Sequence, residues 1–380
     1  MKTSLPIYLD TASTTKVDQR VLEKMLPYFT EIYGNASSNH SYGAKAKQAI
    51  DTAREFVADI INANSKEIVF TSGATEAINL GIKGYAEANL EKGNHIITVK
   101  TEHKAVLATC DYLETKGYEV TYLGVDENGL ISLSELEEAI TDDTILIAVM
   151  YVNNEVGVIQ PIREIGEISK KHNIAFFCDA TQAVGKVSVD VLKDSIDMLS
   201  LSGHKMNGPK GIGALFVRQG IDLTPQIHGG GQEGGLRAGT YNTPLIVGLG
   251  EACRLAQLEF ESNVQKLLEV RAYWQREFEG NDLGKVLFKE VQRAPHILSI
   301  SIHNMDAEDF LMAKSKEFAA STGSACNAEI IEASHVFMTI HGKESTNRGN
   351  LRVSIGLSTT QKQLHSLIDS IRDYMKKCNA

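Results

Sequence analysis

Ile68-Val69-Phe70-Thr71-Ser72-Gly73-Ala74-Thr75-Glu76, continued by apolar residues at Ile78, Ile82, Tyr85 and Ala86, is the stretch that decides the fold class. An apolar run, a patch of small polar residues and then apolar positions at helical spacing read as strand, tight turn and helix. Similar short runs return at Ile96 to Val99, Ile145 to Met150, Ala175 to Cys178 and Met198 to Leu201, with helical patterns between several of them. Upstream, Ala46, Ile50, Ala53, Val57 and Ile60 alternate spacings of four and three and predict an amphipathic helix between Gly43 and Asn62. Such alternation indicates an α/β domain built on a largely parallel sheet. Met198 to Leu201 and Ala214 to Val217 are separated by only about a dozen Gly-rich residues, too few for a crossover helix, so one antiparallel strand is expected there.

The chain has 380 residues, a length that suits two domains. From Leu249 to Phe278 it is charged, free of proline and helix-favouring, with Leu255, Leu258, Val264, Leu267, Leu268 and Trp274 along it, which predicts a long connector into a second domain. Beyond roughly Lys285, strand candidates at His296 to Ile302 and Leu351 to Ile355 and a closing helix from Gln361 to Lys377 predict a second unit. Hydrophobic residues at 43% and charged residues at 23% exclude wholesale disorder. No apolar run approaches the ~18 residues needed to cross a bilayer, and Asp10 interrupts the N-terminus before a secretory signal can form. A cytoplasmic location is expected. The net charge of -10 opposes attraction to phosphate backbones and anionic membranes, so neither direct nucleic-acid binding nor membrane association is expected. The five cysteines, Cys110, Cys178, Cys253, Cys326 and Cys378, lie far apart and fit neither a disulfide framework nor a metal site.

Ligands in open α/β sheets bind at the carboxyl ends of strands, which directs attention to the polar residues after each run. Ser72-Gly73-Ala74-Thr75-Glu76 allows close backbone approach and offers helix N–H groups to an anion, or else is simply capped by Ser72 or Thr75. Asp179 leaves the apolar strand that contains Cys178; it either caps a helix or pairs with a positive ligand atom. Lys205 ends Leu199-Ser200-Leu201-Ser202-Gly203-His204-Lys205, where an isolated lysine would face solvent, and His103 follows Val99-Lys100-Thr101-Glu102 as a cap or an exposed ring. Taken together, a strand-exit Asp, a Lys on the next strand and a phosphate-ready helix start describe a pocket for pyridoxal phosphate, which carries an aldehyde, a basic ring nitrogen and a phosphate. Neither a dinucleotide fingerprint nor a Walker motif is present. Cys326, within Ser321-Thr322-Gly323-Ser324-Ala325-Cys326-Asn327, sits among small polar residues that suit a reactive, accessible loop cysteine.

Tyr8-Leu9-Asp10-Thr11-Ala12-Ser13-Thr14-Thr15, Gly34-Asn35-Ala36-Ser37-Ser38, the Thr71 to Glu76 turn, Val152-Asn153-Asn154-Glu155-Val156-Gly157, Asp179-Ala180-Thr181-Gln182, Ser202 to Lys205, Arg237-Ala238-Gly239-Thr240 and Gly323 to Cys326 follow one another in this order. With this series the chain resembles the cysteine desulfurases of the class V aminotransferase group. The resemblance runs almost end to end. It implies a fold-type I pyridoxal-phosphate-dependent transferase: a mainly parallel seven-stranded sheet with one antiparallel strand in a large cofactor-binding domain (15–255), plus a smaller α+β domain (1–14 and 256–380) carrying the cysteine loop.

Residue by residue, the resemblance makes Lys205 the lysine joined to the cofactor aldehyde and Asp179 the partner of the ring nitrogen. Gln182 would bond the ring hydroxyl and His103 stack on the ring, with a proton-transfer role at sulfur. Ala74, Thr75, Ser202 and His204 would surround the phosphate, joined by Thr240 from the other subunit of a homodimer, near which Gly229, Gly230 and Gly231 would let the backbone bend. Asn154 and Arg352 would bind the carboxylate of L-cysteine. Cys326 would take the sulfur as a persulfide, leaving L-alanine, and pass it to an acceptor protein. Cys326 and Arg352 lie 26 positions apart, the spacing of the long-loop group, although Glu332-Ala333-Ser334-His335 lacks the proline usual there. The short stretch after the final helix favours a dedicated acceptor, as in DNA phosphorothioation or tRNA thiolation, over a general iron-sulfur scaffold. The alternatives are a related enzyme such as a selenocysteine lyase or aminotransferase, or a catalytically weak sulfur-carrier subunit.

Overall fold

A computed structural model of the chain describes residues 5–322, 326–327, 330–331, 334–342 and 349–378. Seven strands form the main sheet: β1 (Ile68–Thr71), β2 (His95–Val99), β3 (Glu119–Leu123), β4 (Thr144–Met150), β5 (Ala175–Asp179), β6 (Met198–Ser202) and β7 (Gly213–Val217). Their spatial order is β1-β7-β6-β5-β4-β2-β3. Only β7 runs antiparallel to its neighbours; the other pairs are parallel.

Each central strand is buried on both faces, which is why it reads as an unbroken apolar run. Side chains still alternate. Phe176, Cys178, Leu199, Leu201, Ala214 and Phe216 enter one core, while Ala175, Phe177, Met198, Leu215 and Val217 enter the core on the opposite face. The first core is closed by α1 (Ser41–Asp59), with Ala46, Ile50, Ala53 and Val57 buried at the predicted spacing, and the second by α2 (Ala74–Ala88) and α3 (Lys104–Glu114).

The predicted helix-favouring connector consists of two helices, α4 (Thr243–Leu258) and α5 (Phe260–Gly280), interrupted at Glu259. The physical reason is a change of partner: Leu255 belongs to the first core, Leu267 and Trp274 to a separate one, and Leu258 at the join is exposed. That separate core packs α5 and α6 (Gln361–Cys378) against β8 (Gly284–Val286), β9 (Ile297–Ile302) and β10 (Asn350–Ser354), ordered β10-β9-β8. On α6, Leu364, Leu367, Ile368 and Ile371 make the buried stripe. Leu9 joins this core, because Ile7–Tyr8 pairs in parallel with Phe318–Ala319. The N-terminal segment thus runs between the two bodies and brings Asp10 to Thr15 to the edge of the main sheet.

Candidate active site

Parallel pairing puts the carboxyl ends of the strands on one edge: Met150 lies opposite Asp179, Asp179 opposite Ser200, and Ser202 and Thr71 both opposite Gly213. A cavity of about 670 Å³ opens along that edge. Its walls include Ala74, Thr75, His103, Asn154, Asp179, Gln182, Ser202, His204, Lys205 and Arg352, so most of the residues predicted from sequence do converge. Thr240 does not; it is exposed and outside this wall. Of Cys326 only the backbone is described, in a two-residue strand (Cys326–Asn327) antiparallel to Ile330–Ile331; its side chain, like residues 323–325 and 332–333, lies outside the described residues.

At one end of the cavity stands the start of α2. Neither Ser72 nor Thr75 caps it: Gly73 holds the cap position and no side chain bonds the first turn, so its N–H groups are left for a ligand. Ser72 N–H instead donates to Glu76 Oε2 at 2.7 Å, and Arg237 Nε meets Glu76 Oε1 at 2.8 Å. Gly213 must be glycine here, since a Cβ on it would lie 2.8 Å from Gly73 Cα. His204, in the single turn that follows β6, bonds Thr14 Oγ1 through Nδ1 at 3.1 Å; burial and the neighbouring lysines push its pKa down to about 4, so the ring is neutral.

On the cavity floor, Asp179 is 5% exposed. Its Oδ1 accepts from Thr181 N–H at 3.0 Å and Ser200 Oγ at 2.9 Å. No described group bonds Oδ2, and no helix follows to be capped; a six-residue turn does, so the carboxylate keeps a lone-pair face for a cationic ring atom. Lys205 does not face solvent as an isolated strand-end lysine would. Its Nζ donates to Ala12 O at 2.6 Å and Ser13 O at 2.7 Å, and burial together with the Arg352 charge lowers its pKa to about 8.

His103 caps α3, its Nδ1 accepting from Ala105 N–H at 3.1 Å. The proton of the neutral ring is therefore on Nε2. Although the ring looks into the open cavity, the surrounding walls lower its pKa, chiefly by desolvation. Arg352 is already engaged: Nη2 donates to Asp10 Oδ1 at 2.8 Å and Ser13 Oγ at 2.7 Å, Nη1 donates to Asn154 O at 2.8 Å, and Nε has no partner. A substrate carboxylate at this guanidinium has to displace Asp10 or share it.

Several wall residues carried no predicted role. Ala12 and Ser13 supply the carbonyls that hold Lys205, and the polar run Tyr8 to Thr15 was the available signal. Lys186, buried, donates to the Lys205 carbonyl, and burial lowers its pKa to about 7. The backbone bends at Gly229, Gly230 and Gly231 without a positive φ at any of them, and turns again at Glu233, Gly234 and Gly235, with φ of 51°, 65° and 90°. Past the undescribed positions 332–333, Ser334 bonds the buried carboxylate of Glu155, and His335 Nε2 donates to Glu102 O at 2.9 Å.

The aminotransferase class-V family matches residues 7–367. The chain belongs to that family. It is 49% identical over 380 residues to the cysteine desulfurase IscS of Neisseria meningitidis serogroup C, covering 99% of this chain and 94% of the relative. Among solved structures, a NifS-like protein superposes with a TM-score of 0.91 at 35% identity, covering 98% of this chain and 100% of the other. A structure described as SspA in complex with cysteine gives 0.82 at 42% identity, over 93% of this chain and 100% of the other. These likenesses extend the fold-type I architecture of class-V members to this chain. Among the described residues no helix is long and apolar enough to cross a membrane, and no cluster of metal-binding side chains occurs.

Proposed function

We propose that the chain is a pyridoxal-phosphate-dependent cysteine desulfurase, which converts L-cysteine to L-alanine and leaves the sulfur on Cys326 as a persulfide for an acceptor protein. The observation that carries this reading is the convergence, in one cavity, of a lysine amine with a lowered pKa, a carboxylate with an unused oxygen and an uncapped helix start. Those three features fit the aldehyde, ring nitrogen and phosphate of pyridoxal phosphate. Lys205 would hold the first and Asp179 the second; Ala74, Thr75, Ser202 and His204 would surround the third. Gln182 would meet the ring oxygen and His103 the ring face. The cofactor would supply an aldehyde to which the substrate amine can bond and a ring that accepts electrons from the α-carbon.

The chain's own groups do the rest. Lys205, with a pKa lowered to about 8, serves as base at the α-carbon. Arg352 and Asn154 orient the substrate by its carboxylate. His103, with its proton on Nε2, faces the cavity as a donor toward sulfur. The Cys326 thiolate attacks that sulfur. The Cβ–S bond breaks, an S–S bond forms on Cys326, and protons return to nitrogen and carbon, so cysteine plus thiol equals alanine plus persulfide.

We further infer a homodimer in which Thr240 completes the partner's phosphate site. Its exposure away from this chain's own cavity supports that reading, as do the exposed apolar side chains Leu22, Leu26, Phe29, Tyr33 and Tyr42 in the N-terminal part of the chain.

The decisive experiment measures alanine and sulfide from L-cysteine in the wild type, Lys205→Ala and Cys326→Ser. Lys205→Ala should lose both the visible cofactor absorption and alanine formation. Cys326→Ser should keep the absorption and lose sulfur transfer. A keto acid in place of alanine would instead identify an aminotransferase.

A further inference from the structure

Behind the cavity wall lies a ring that belongs to the other body of the protein. His296, just before β9, is 0% exposed, and its Nε2 is 3.1 Å from Gln182 Oε1, while Nδ1 has no partner. Gln182 is itself buried, and its Nε2 donates to Ala12 O at 2.7 Å, the same carbonyl that receives Lys205 Nζ. Ala12 O can only accept, so the amide nitrogen of Gln182 must face it and Oε1 must face His296. Oε1 also only accepts. The His296 proton is therefore on Nε2, and Nδ1 is bare. Burial among the charges of Lys186, Arg352, Lys205 and Arg271 drives the ring's pKa well below its usual value, so no second proton competes.

We propose that His296 is a positioning residue for Gln182: by donating Nε2–H to Oε1 it fixes the amide with its nitrogen on the cavity side, so that the second N–H is presented to an anionic ring oxygen such as that of pyridoxal phosphate. The proposal rests on the cofactor reading above. Without His296, Oε1 is left buried and unsatisfied, and the amide gains by rotating toward the cavity and its water. A donor to an anionic oxygen stabilises the anion and weakens its hold on a nearby proton. Loss of that donor therefore raises the pH at which the visible band of the bound cofactor titrates.

The test loads wild type, Gln182→Leu, His296→Leu and His296→Gln with pyridoxal phosphate, follows the visible band against pH, and reads the imidazole 15N shifts of His296 in the wild type. Gln182→Leu should raise the titration midpoint, and His296→Leu should raise it by about half a pH unit or more in the same direction. His296→Gln, whose amide can still donate to Oε1, should stay near wild type. The 15N shifts should show a neutral ring protonated at Nε2. A wild-type midpoint in His296→Leu while Gln182→Leu is shifted would overturn the proposal, as would a ring protonated at Nδ1, which decides the matter even if His296→Leu does not fold. An unshifted Gln182→Leu removes the Gln182 contact, and the proposal with it; a wild type without a visible band removes the cofactor reading and everything built on it.

Discussion

Lys205 is an amine held by two carbonyl oxygens, and among the described residues no carboxylate lies within ion-pair distance of it. Burial and the Arg352 charge both favour its neutral form, with a pKa of about 8. The amine therefore gains reactivity as pH rises through about 8, whereas a free lysine would need about 10.4. We expect the rate of pyridoxal phosphate uptake by cofactor-free protein to follow that lower midpoint, and Arg352→Gln to move the midpoint upward. A midpoint near that of free lysine would show that Lys205 is solvated. Glu102 is a second buried titratable group, 1% exposed, with Oε1 accepting from Met150 N–H at 2.7 Å and Oε2 unpartnered. Burial, with the Asp179 charge adding to it against the Met150 bond, holds its pKa well above 4.5. A carboxyl raised in the folded state contributes stability that is complete below its unfolded pKa and is lost as pH rises toward the folded one, at about 1.4 kcal/mol per pH unit for a single group. Glu102→Gln removes that proton exchange. The gap in urea midpoint between Glu102→Gln and wild type should thus grow in the variant's favour from pH 5 upward, and parallel curves would mean that Glu102 is ionised.

At the scale of elements, six of the seven main-sheet strands were legible as apolar runs, and β7's reversal followed from its short Gly-rich link to β6; the edge strand β3, with an exposed Glu119 and a half-buried middle, was not legible, and neither was the strand order. Nor was the break at Glu259, because α4 and α5 share helix-favouring composition and differ only in which core they meet. His296 was equally silent in sequence: a single histidine before an apolar run has no pattern, and its meaning depends on Gln182, far away in the chain. The sheet edge offers a similar case. β1 is an edge strand, and Phe70 N–H is taken at 2.8 Å by Oε2 of Glu233, whose carboxylate also holds Arg54 at 2.6 and 2.7 Å. The Glu233 side chain is 2% exposed, so removing it leaves a strand N–H without a partner and a largely buried guanidinium with only the Ile68 carbonyl. Glu233→Ala should destabilise by about 3 kcal/mol in urea unfolding, and replacing Arg54 by Leu as well should recover part of the loss. A cost below about 1 kcal/mol would show that water reaches the site.

For the whole molecule the question is whether one chain's surface completes another's pocket. The segment that carries Thr240 is tied to its own subunit at two points, by Glu233 to Arg54 and by Arg237 to Glu76, and the second tie ends on the first turn of α2, at the anion-ready end of the cavity. Thr240 itself lies outside that cavity. If Thr240 serves the partner, damage to it must travel to the other subunit's site. Mixing Lys205→Ala with Thr240→Val subunits decides this. In the mixed dimer the site that retains Lys205 receives Thr240 from the Lys205→Ala subunit, so it should bind pyridoxal phosphate with wild-type affinity and turn over cysteine at full rate per remaining site. Were Thr240 to act within its own chain, that same site would carry the Thr240→Val defect and hold the cofactor as weakly as the Thr240→Val homodimer, roughly ten- to a hundred-fold below wild type for the loss of one hydrogen bond to a charged phosphate, about 1.5–3 kcal/mol. Wild-type affinity in the mixture, with the dimer verified by sedimentation, therefore supports the shared site; affinity equal to that of the Thr240→Val homodimer sinks it.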